Sequence, residues 1–210
     1  MNKKTEITFF ENDLDQDFFD LYSTSNSLAI DTEAMGLIHG RDRLCLIQIC
    51  NELGNITCIK LAINNTNSKK LKTILESEKI TKIFHFARFD VAALKCNLSI
   101  EVKNIFCTKI ASKLARTYSP KHGLKELINE MCGIELDKKY QSSDWGSTQK
   151  LSQEQLNYAS NDVKYLINAR NKLEIILKRE GRMELAQKCF DCIPTFADLD
   201  IGHYQNIFEH

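Results

Sequence analysis

Two carboxylates one residue apart close an apolar run at Leu28-Ala29-Ile30-Asp31-Thr32-Glu33. In an extended strand residues i and i+2 project from the same face, so Asp31 and Glu33 stand side by side. Adjacent like charges repel, and the pair becomes favourable when a hard divalent ion such as Mg2+ or Mn2+ sits between them. A solvated strand end has the same residue pattern, so the pair alone does not decide. Asp90 adds a third carboxylate, in the first turn of a helix expected after Ile83-Phe84-His85-Phe86; the helix dipole also favours acidic residues there. Tyr158-Ala159-Ser160-Asn161-Asp162 sets a phenol and a carboxylate four residues apart, on one helix face. Asp162 adjoins Val163 and lies near Leu166, where burying an unpaired carboxylate is costly. Asp31, Glu33, Asp90 and Asp162 are thus four carboxylates that could serve a metal, each with an ordinary structural reading beside it, and a tyrosine at the spacing of Tyr158 is, taken alone, more often core than catalytic.

The elements that must position these groups follow from periodicity. Residues 6–10 predict a short strand and 13–22 a helix with Leu14, Phe18, Leu21 and Tyr22 on one face. Residues 28–33, 43–50 and 55–61 predict three sequential strands, an antiparallel meander with a hairpin at 51–55. A turn with Gly36, read as freeing the backbone, follows the first of them. Residues 68–77 predict a helix capped by Ser68, 81–85 a central strand, 87–96 a helix and 104–107 a short strand. Beyond that the pattern is helical: 108–116, 123–132, one long helix over 152–180, then 182–190 and an irregular tail. A meander followed by alternating strands and helices is an α/β fold with a mixed sheet and a helical C-terminal part.

Length and composition are those of a globular chain: 210 residues, 43% hydrophobic, 27% charged and two prolines, with no low-complexity tract and no repeat. A single domain over 1–210 is expected. Lys and Arg balance Asp and Glu at 28 each, so there is no basic excess for gripping a long phosphate backbone. No run is long and apolar enough to span a membrane, and the first residues lack a signal-peptide core, which predicts a cytoplasmic protein. The eight cysteines lie mostly in apolar runs and read as buried hydrophobes of a reducing compartment. Cys189 and Cys192 form one C-x-x-C pair without the second that a zinc site requires.

In this order the acidic stretches resemble the DEDD superfamily of 3′→5′ exonucleases, in the branch with tyrosine in its third motif, to which RNase D belongs. The stretches Asp42-Arg43-Leu44-Cys45-Leu46-Ile47-Gln48-Ile49, Ile80–Phe86, Phe106–Leu114, His122-Gly123-Leu124-Lys125-Glu126, Gln141-Ser142-Ser143-Asp144-Trp145 and Asn206–His210 are similar to nanoRNase C. That family comprises compact bacterial enzymes that degrade very short RNAs, and the similarity runs through nearly the whole chain. It implies an RNase H-like, DnaQ-like fold and two divalent cations, Mg2+ or Mn2+, held by the four carboxylates. Ions about 3.5–4 Å apart can stabilise both the attacking and the leaving oxygen of a phosphodiester. Tyr158 would orient the attacking water, and the products would be 5′-mononucleotides. Leu37 would wedge between the last two bases, while His85, Lys109, Arg116, Lys121 and His122 are candidates for touching substrate. Asp144 and Trp145 would border the site. The resemblance further implies a ring-like homo-octamer and a preference for dinucleotides, and leaves open whether DNA ends are cut. An RNase D-like enzyme acting on longer structured RNA, and a silent RNA-binding module that keeps the fold, are the alternatives. The second would be favoured by a missing carboxylate, and none is missing.

Overall fold

Extended apolar stretches in the first half of the chain build a single six-stranded sheet. The computed structural model describes residues 7–65, 67–136, 143–147, 151–204 and 206–208. The strands are β1 (Ile7–Glu11), β2 (Ser27–Ala34), β3 (Leu44–Asn51), β4 (Ile56–Lys60), β5 (Thr81–Phe84) and β6 (Ile105–Cys107). Their order across the sheet is β1-β4-β3-β2-β5-β6. The expected meander is present, β2 antiparallel to β3 and β3 to β4, while β1, β5 and β6 join in parallel. Every residue of β3 is buried, because helices and loops cover both faces. The expected start of the first strand at Glu6 lies outside the described residues.

Helices α1 (Gln16–Ser23), α2 (Lys69–Leu75), α3 (Ala87–Leu98), α4 (Thr108–Ala115) and α5 (Leu124–Cys132) match the predicted ones within a few residues. The cap of α2 differs from the expectation. The Ser68 hydroxyl donates to the Asn12 carbonyl at 2.6 Å, and Asp13 accepts from the backbone N–H groups of Lys70 and Leu71 at 2.9 and 3.0 Å. A carboxylate brought in by the chain fold thus takes the role assigned to the local serine. The expected 152–180 helix is two, α6 (Gln153–Lys164) and α7 (Leu166–Arg179), separated at Tyr165 with φ −108° and ψ −3°. After α8 (Met183–Asp191) the expected irregular tail instead forms α9 (Ile193–Ile201), whose Pro194 occupies the helix start. Proline is favourable there, since the missing N–H would be unpaired anyway.

Two apolar clusters hold the sheet's faces. The large one gathers Leu28, Ile30, Ile47, Ile49, Ile83 and Phe84 with helical residues such as Leu94, Leu166 and Leu173. A smaller one joins Cys45, Leu46 and Cys58 to Ala159, Tyr158 and Leu156 of α6 and to Trp145. The small cluster seats α6 across β2, β3 and β4 and so fixes where its polar groups point.

Candidate active site

The site lies at the carboxyl ends of β2 and β5, between α3 and α6. Alternation along β2 puts Asp31 and Glu33 on one face. A capping box starts α6: the Ser152 hydroxyl accepts from Gln155 N–H at 3.2 Å and the Gln155 side chain from Ser152 N–H at 2.9 Å. Ten residues on, Asp162 comes down onto the same place. Carboxylate oxygens of Asp31, Glu33 and Asp162 all lie within 4.8 Å of one another. Asp90, 3% exposed, stands outside that trio but close enough to repel Asp31 and Glu33, and the Thr32 hydroxyl donates to its Oδ1 at 2.6 Å. Thr32 belongs to the opposite face of β2 and so links the two sides of the strand end. Sequence reading passed over it, although it sits between the two acidic residues.

Electrostatics are uniform in direction. Burial, then repulsion from Asp90, Asp162 and Glu33, holds Asp31 well above the usual carboxylate range. Burial followed by Asp162 and Asp90 pushes Glu33 up to about 8, and burial alone takes Asp90 and Asp162 to about 7 against their hydrogen bonds. Tyr158 is hydrogen-bonded to Asp162, and burial with the surrounding carboxylates raises its phenol, so it stays protonated. A divalent cation would remove the repulsion among these carboxylates. All four groups are hard oxygen donors, so the set fits Mg2+ or Mn2+.

Trp145 stacks on Tyr158 with ring centroids 6.3 Å apart at 30°. Its loop is docked on the sheet by Arg43 Nη2 to the Gly146 carbonyl and by Lys60 Nζ to the Ser147 carbonyl, both at 2.9 Å. Asp144 is exposed on that loop. Leu37 is 81% exposed, on a turn built around Asp42. Asp42 accepts from Ile38 N–H at 3.0 Å and from the Arg41 guanidinium at 2.7 and 2.8 Å, and these contacts lower its pKa to about 2. A Cβ on Gly36 would meet the Asp42 carboxylate at 2.2 Å. The turn needs this glycine for space, not for the backbone freedom expected from sequence.

Beside Leu37 a cleft of about 270 Å³ is lined by Ile38, His39, Phe86, Phe89, His203 and Tyr204, among others. Phe86 occupies the left-handed region, φ 70°, as the residue before α3. That conformation is unusual for a bulky side chain and collects at functional sites. The ammonium of Lys109 lies 4.2 Å from the centre of its half-exposed ring. His85 Nδ1 contacts Thr108 Oγ1 at 2.9 Å, and that hydroxyl donates to the Phe84 carbonyl, so Nδ1 carries the proton. Burial, with Lys109 nearby, takes His85 down to about 4 and keeps it neutral. His122 is half-buried, its Nδ1 2.9 Å from Ser112 Oγ. Arg116 is not available as a substrate contact. It is 1% exposed, its guanidinium forks onto Glu130 and its Nη1 donates to Ser112 Oγ and the Lys121 carbonyl. Lys121 is exposed. A larger cleft, about 630 Å³, lies between β1, β4 and the Ser147 loop, and no site carboxylate lines it.

Residues 7–178 match the model of the 3′-5′ exonuclease family. The structure is similar to Brucella melitensis NrnC bound to pGG, at 42% identity and a TM-score of 0.92 over 99% of this chain and 100% of that one. The same protein with bound Mg2+ gives 41% identity and a TM-score of 0.90 over 97% and 98%. Exosome complex component 10 of Rattus norvegicus is 30% identical over 143 residues, 68% of this chain, and ribonuclease D of Acidiphilium cryptum (strain JF-5) 27% over 157 residues, 75% of it. The chain spans 16% and 39% of those two curated relatives. With the acidic strand end, the first-turn aspartate and the tyrosine–aspartate pair brought together, the chain belongs to the 3′-5′ exonuclease family, in its NrnC and RNase D-like branch.

Proposed function

We propose that this chain is a metal-dependent 3′→5′ exoribonuclease that hydrolyses very short RNAs, dinucleotides above all, to 5′-mononucleotides. The observation that carries the reading is the convergence of Asp31, Glu33 and Asp162 within 4.8 Å, with Asp90 beside them. Support for the substrate class comes from Brucella NrnC, similar over its whole length, whose pGG is a dinucleotide bearing a 5′ phosphate.

Asp31, Glu33, Asp90 and Asp162 would hold two divalent cations. When bound, these supply Lewis-acid stabilisation of the phosphodiester and lower the pKa of the attacking water. Tyr158 donates its phenol proton to Asp162, and its oxygen would accept from that water and so orient it; its raised pKa makes positioning, rather than proton abstraction, its role. Water adds to phosphorus, the bond to the 3′ oxygen of the preceding nucleotide breaks, and that oxygen takes a proton. Leu37 inserts between the last two bases, and the aromatic cleft beside it receives a base. Lys109 and His122 hold the 5′ phosphate, and His85, fixed as a neutral acceptor, lies behind Lys109.

The test is cleavage of 5′-labelled RNAs from two to about ten nucleotides with Mn2+ or Mg2+, with and without chelator. Mononucleotide release that depends on the metal and falls with length is the expected result. Cleavage that is indifferent to chelator would overturn the mechanism, and cleavage rising with length would move the chain to the RNase D-like alternative.

A further inference from the structure

Gln48 is a buried polar group that the chemistry above does not use. It sits in the middle of β3 at 0% exposure, and neither its Nε2 nor its Oε1 has a hydrogen-bond partner among the described residues. Buried carboxamides are nearly always bonded, so an unpartnered one requires an explanation. Its neighbours along β3, namely Leu46, Ile47, Ile49 and Cys50, are apolar, and the other polar residue of the strand, Asn51, is its last. A position that needed volume alone would be filled by leucine or methionine.

Register shows what the carboxamide faces. Gln48 is directly opposite Asp31 on β2 and Cys58 on β4. Residues opposite each other on antiparallel strands project to the same side, with Cβ atoms about 4.5–5.5 Å apart. That side is the one on which Cys58 and Leu46 pack under Tyr158 and Ala159 of α6, and on which Asp31 meets Glu33 and Asp162. Gln48 is therefore the lateral neighbour of the site's central carboxylate, under the helix that brings Asp162.

We propose that Gln48 is a positioning residue for Asp31: with a divalent cation bound, its Nε2–H donates to the Asp31 oxygen turned away from the ion and leaves the other oxygen aimed at it. The residue type suits this task. An arginine or lysine opposite Asp31 would neutralise the carboxylate and compete with the cation, and a glutamate would add another repelling charge. A neutral donor orients the ligand without doing either, as outer partners of metal ligands do elsewhere. This inference rests on the divalent-cation reading of the site.

The test replaces Gln48 by methionine, of similar length and unable to donate, with Gln48→Leu as a second apolar variant. Melting temperature in chelator, the Mn2+ midpoint by calorimetry, and KM and kcat for a dinucleotide at saturating Mn2+ are measured on each. Expected are a melting temperature in chelator equal to or above wild type, a Mn2+ midpoint raised about 10–100-fold, and KM unchanged at saturating metal. A purely structural glutamine predicts the reverse, a lowered melting temperature with an unchanged Mn2+ midpoint, and that result overturns the inference. So does failure of both variants to fold, because removing an unpartnered group is expected to be harmless. A wild-type protein that binds no Mn2+ would overturn the cation reading itself, and this inference with it.

Discussion

Each site carboxylate sits in surroundings that oppose its ionisation. Their folded pKa values lie above the unfolded ones, so the folded state binds protons more tightly and the ionised cluster works against the fold at neutral pH. Neutralising one member without changing its shape should therefore remove function and relieve the crowding together. Asp31→Asn, Glu33→Gln, Asp90→Asn and Asp162→Asn are each expected to lose turnover by several orders of magnitude, with circular dichroism unchanged. A variant that keeps near-normal Mn2+-dependent cleavage would remove that residue from the site. In chelator, Asp31→Asn and Asp162→Asn should melt about 2–8 °C above wild type, given about 2–4 °C per kcal/mol in a chain of this size. Wild type should gain stability with added Mn2+ while these variants gain little; lower melting in chelator would show that the carboxylates are fold contacts. The acidic cluster was legible because strand and helix periods place Asp31 with Glu33 and Tyr158 with Asp162. Thr32 and Gln48 were not, since their partners are set by tertiary contact and cross-strand register. Arg116 was misread for the same kind of reason: Glu130, 14 residues away, claims it.

Elements were legible wherever a local pattern also decided the packing, as in the β2–β3–β4 meander. The break at Tyr165 is different. Apolar residues run on at helical spacing across it, no glycine or proline marks it, and only packing of α6 on the sheet and α7 on α4 and α5 separates the two axes. The expected irregular tail is a helix because Pro194, which would break a helix from inside, is a good first residue of one. The resulting α9 matters to the site. Arg88 of α3 forks onto Asp200 at 2.5 and 2.6 Å, and Lys95 reaches Asp198 at 2.5 Å, which pins α9 along α3. His203 and Tyr204, just beyond α9, then form one wall of the cleft beside Leu37. Partly exposed ion pairs of this kind contribute on the order of 1 kcal/mol or less. Asp200→Asn should therefore lower the melting temperature by no more than about 4 °C, yet raise KM for a dinucleotide severalfold by loosening that wall. An unchanged KM would detach α9 from substrate binding.

For the whole molecule the question is what sets substrate length. Positive and negative charges balance at 28 each, so extra phosphates gain little from long-range attraction. Recognition must then be local. The cleft beside Leu37 holds about 270 Å³, small enough for one base rather than a run of them. On the proposed reading, Lys109, held over Phe86 beside that cleft, meets the 5′ phosphate of a short chain. A third nucleotide would have to occupy the phosphate's place, and a charged group left unpaired in an enclosed site loses affinity. Assembly would sharpen the limit: Tyr204, Ile207 and Phe208 are exposed at 63%, 53% and 75%, an apolar surface suited to contact with another copy. Light scattering should find a symmetric oligomer, eight copies on the nanoRNase C resemblance; a monomer at micromolar concentration would remove that contribution. Length itself is tested on one pair of substrates. A dinucleotide with a 5′ phosphate should be cleaved at least tenfold faster than a seven-nucleotide RNA. Removing its phosphate, or substituting Lys109→Met, should raise KM by a similar factor with kcat less affected. Combined, the two changes should be no worse than either alone, because both remove one contact. If they add in full, the phosphate is held elsewhere, and if two-mers and seven-mers react equally, the site does not measure length.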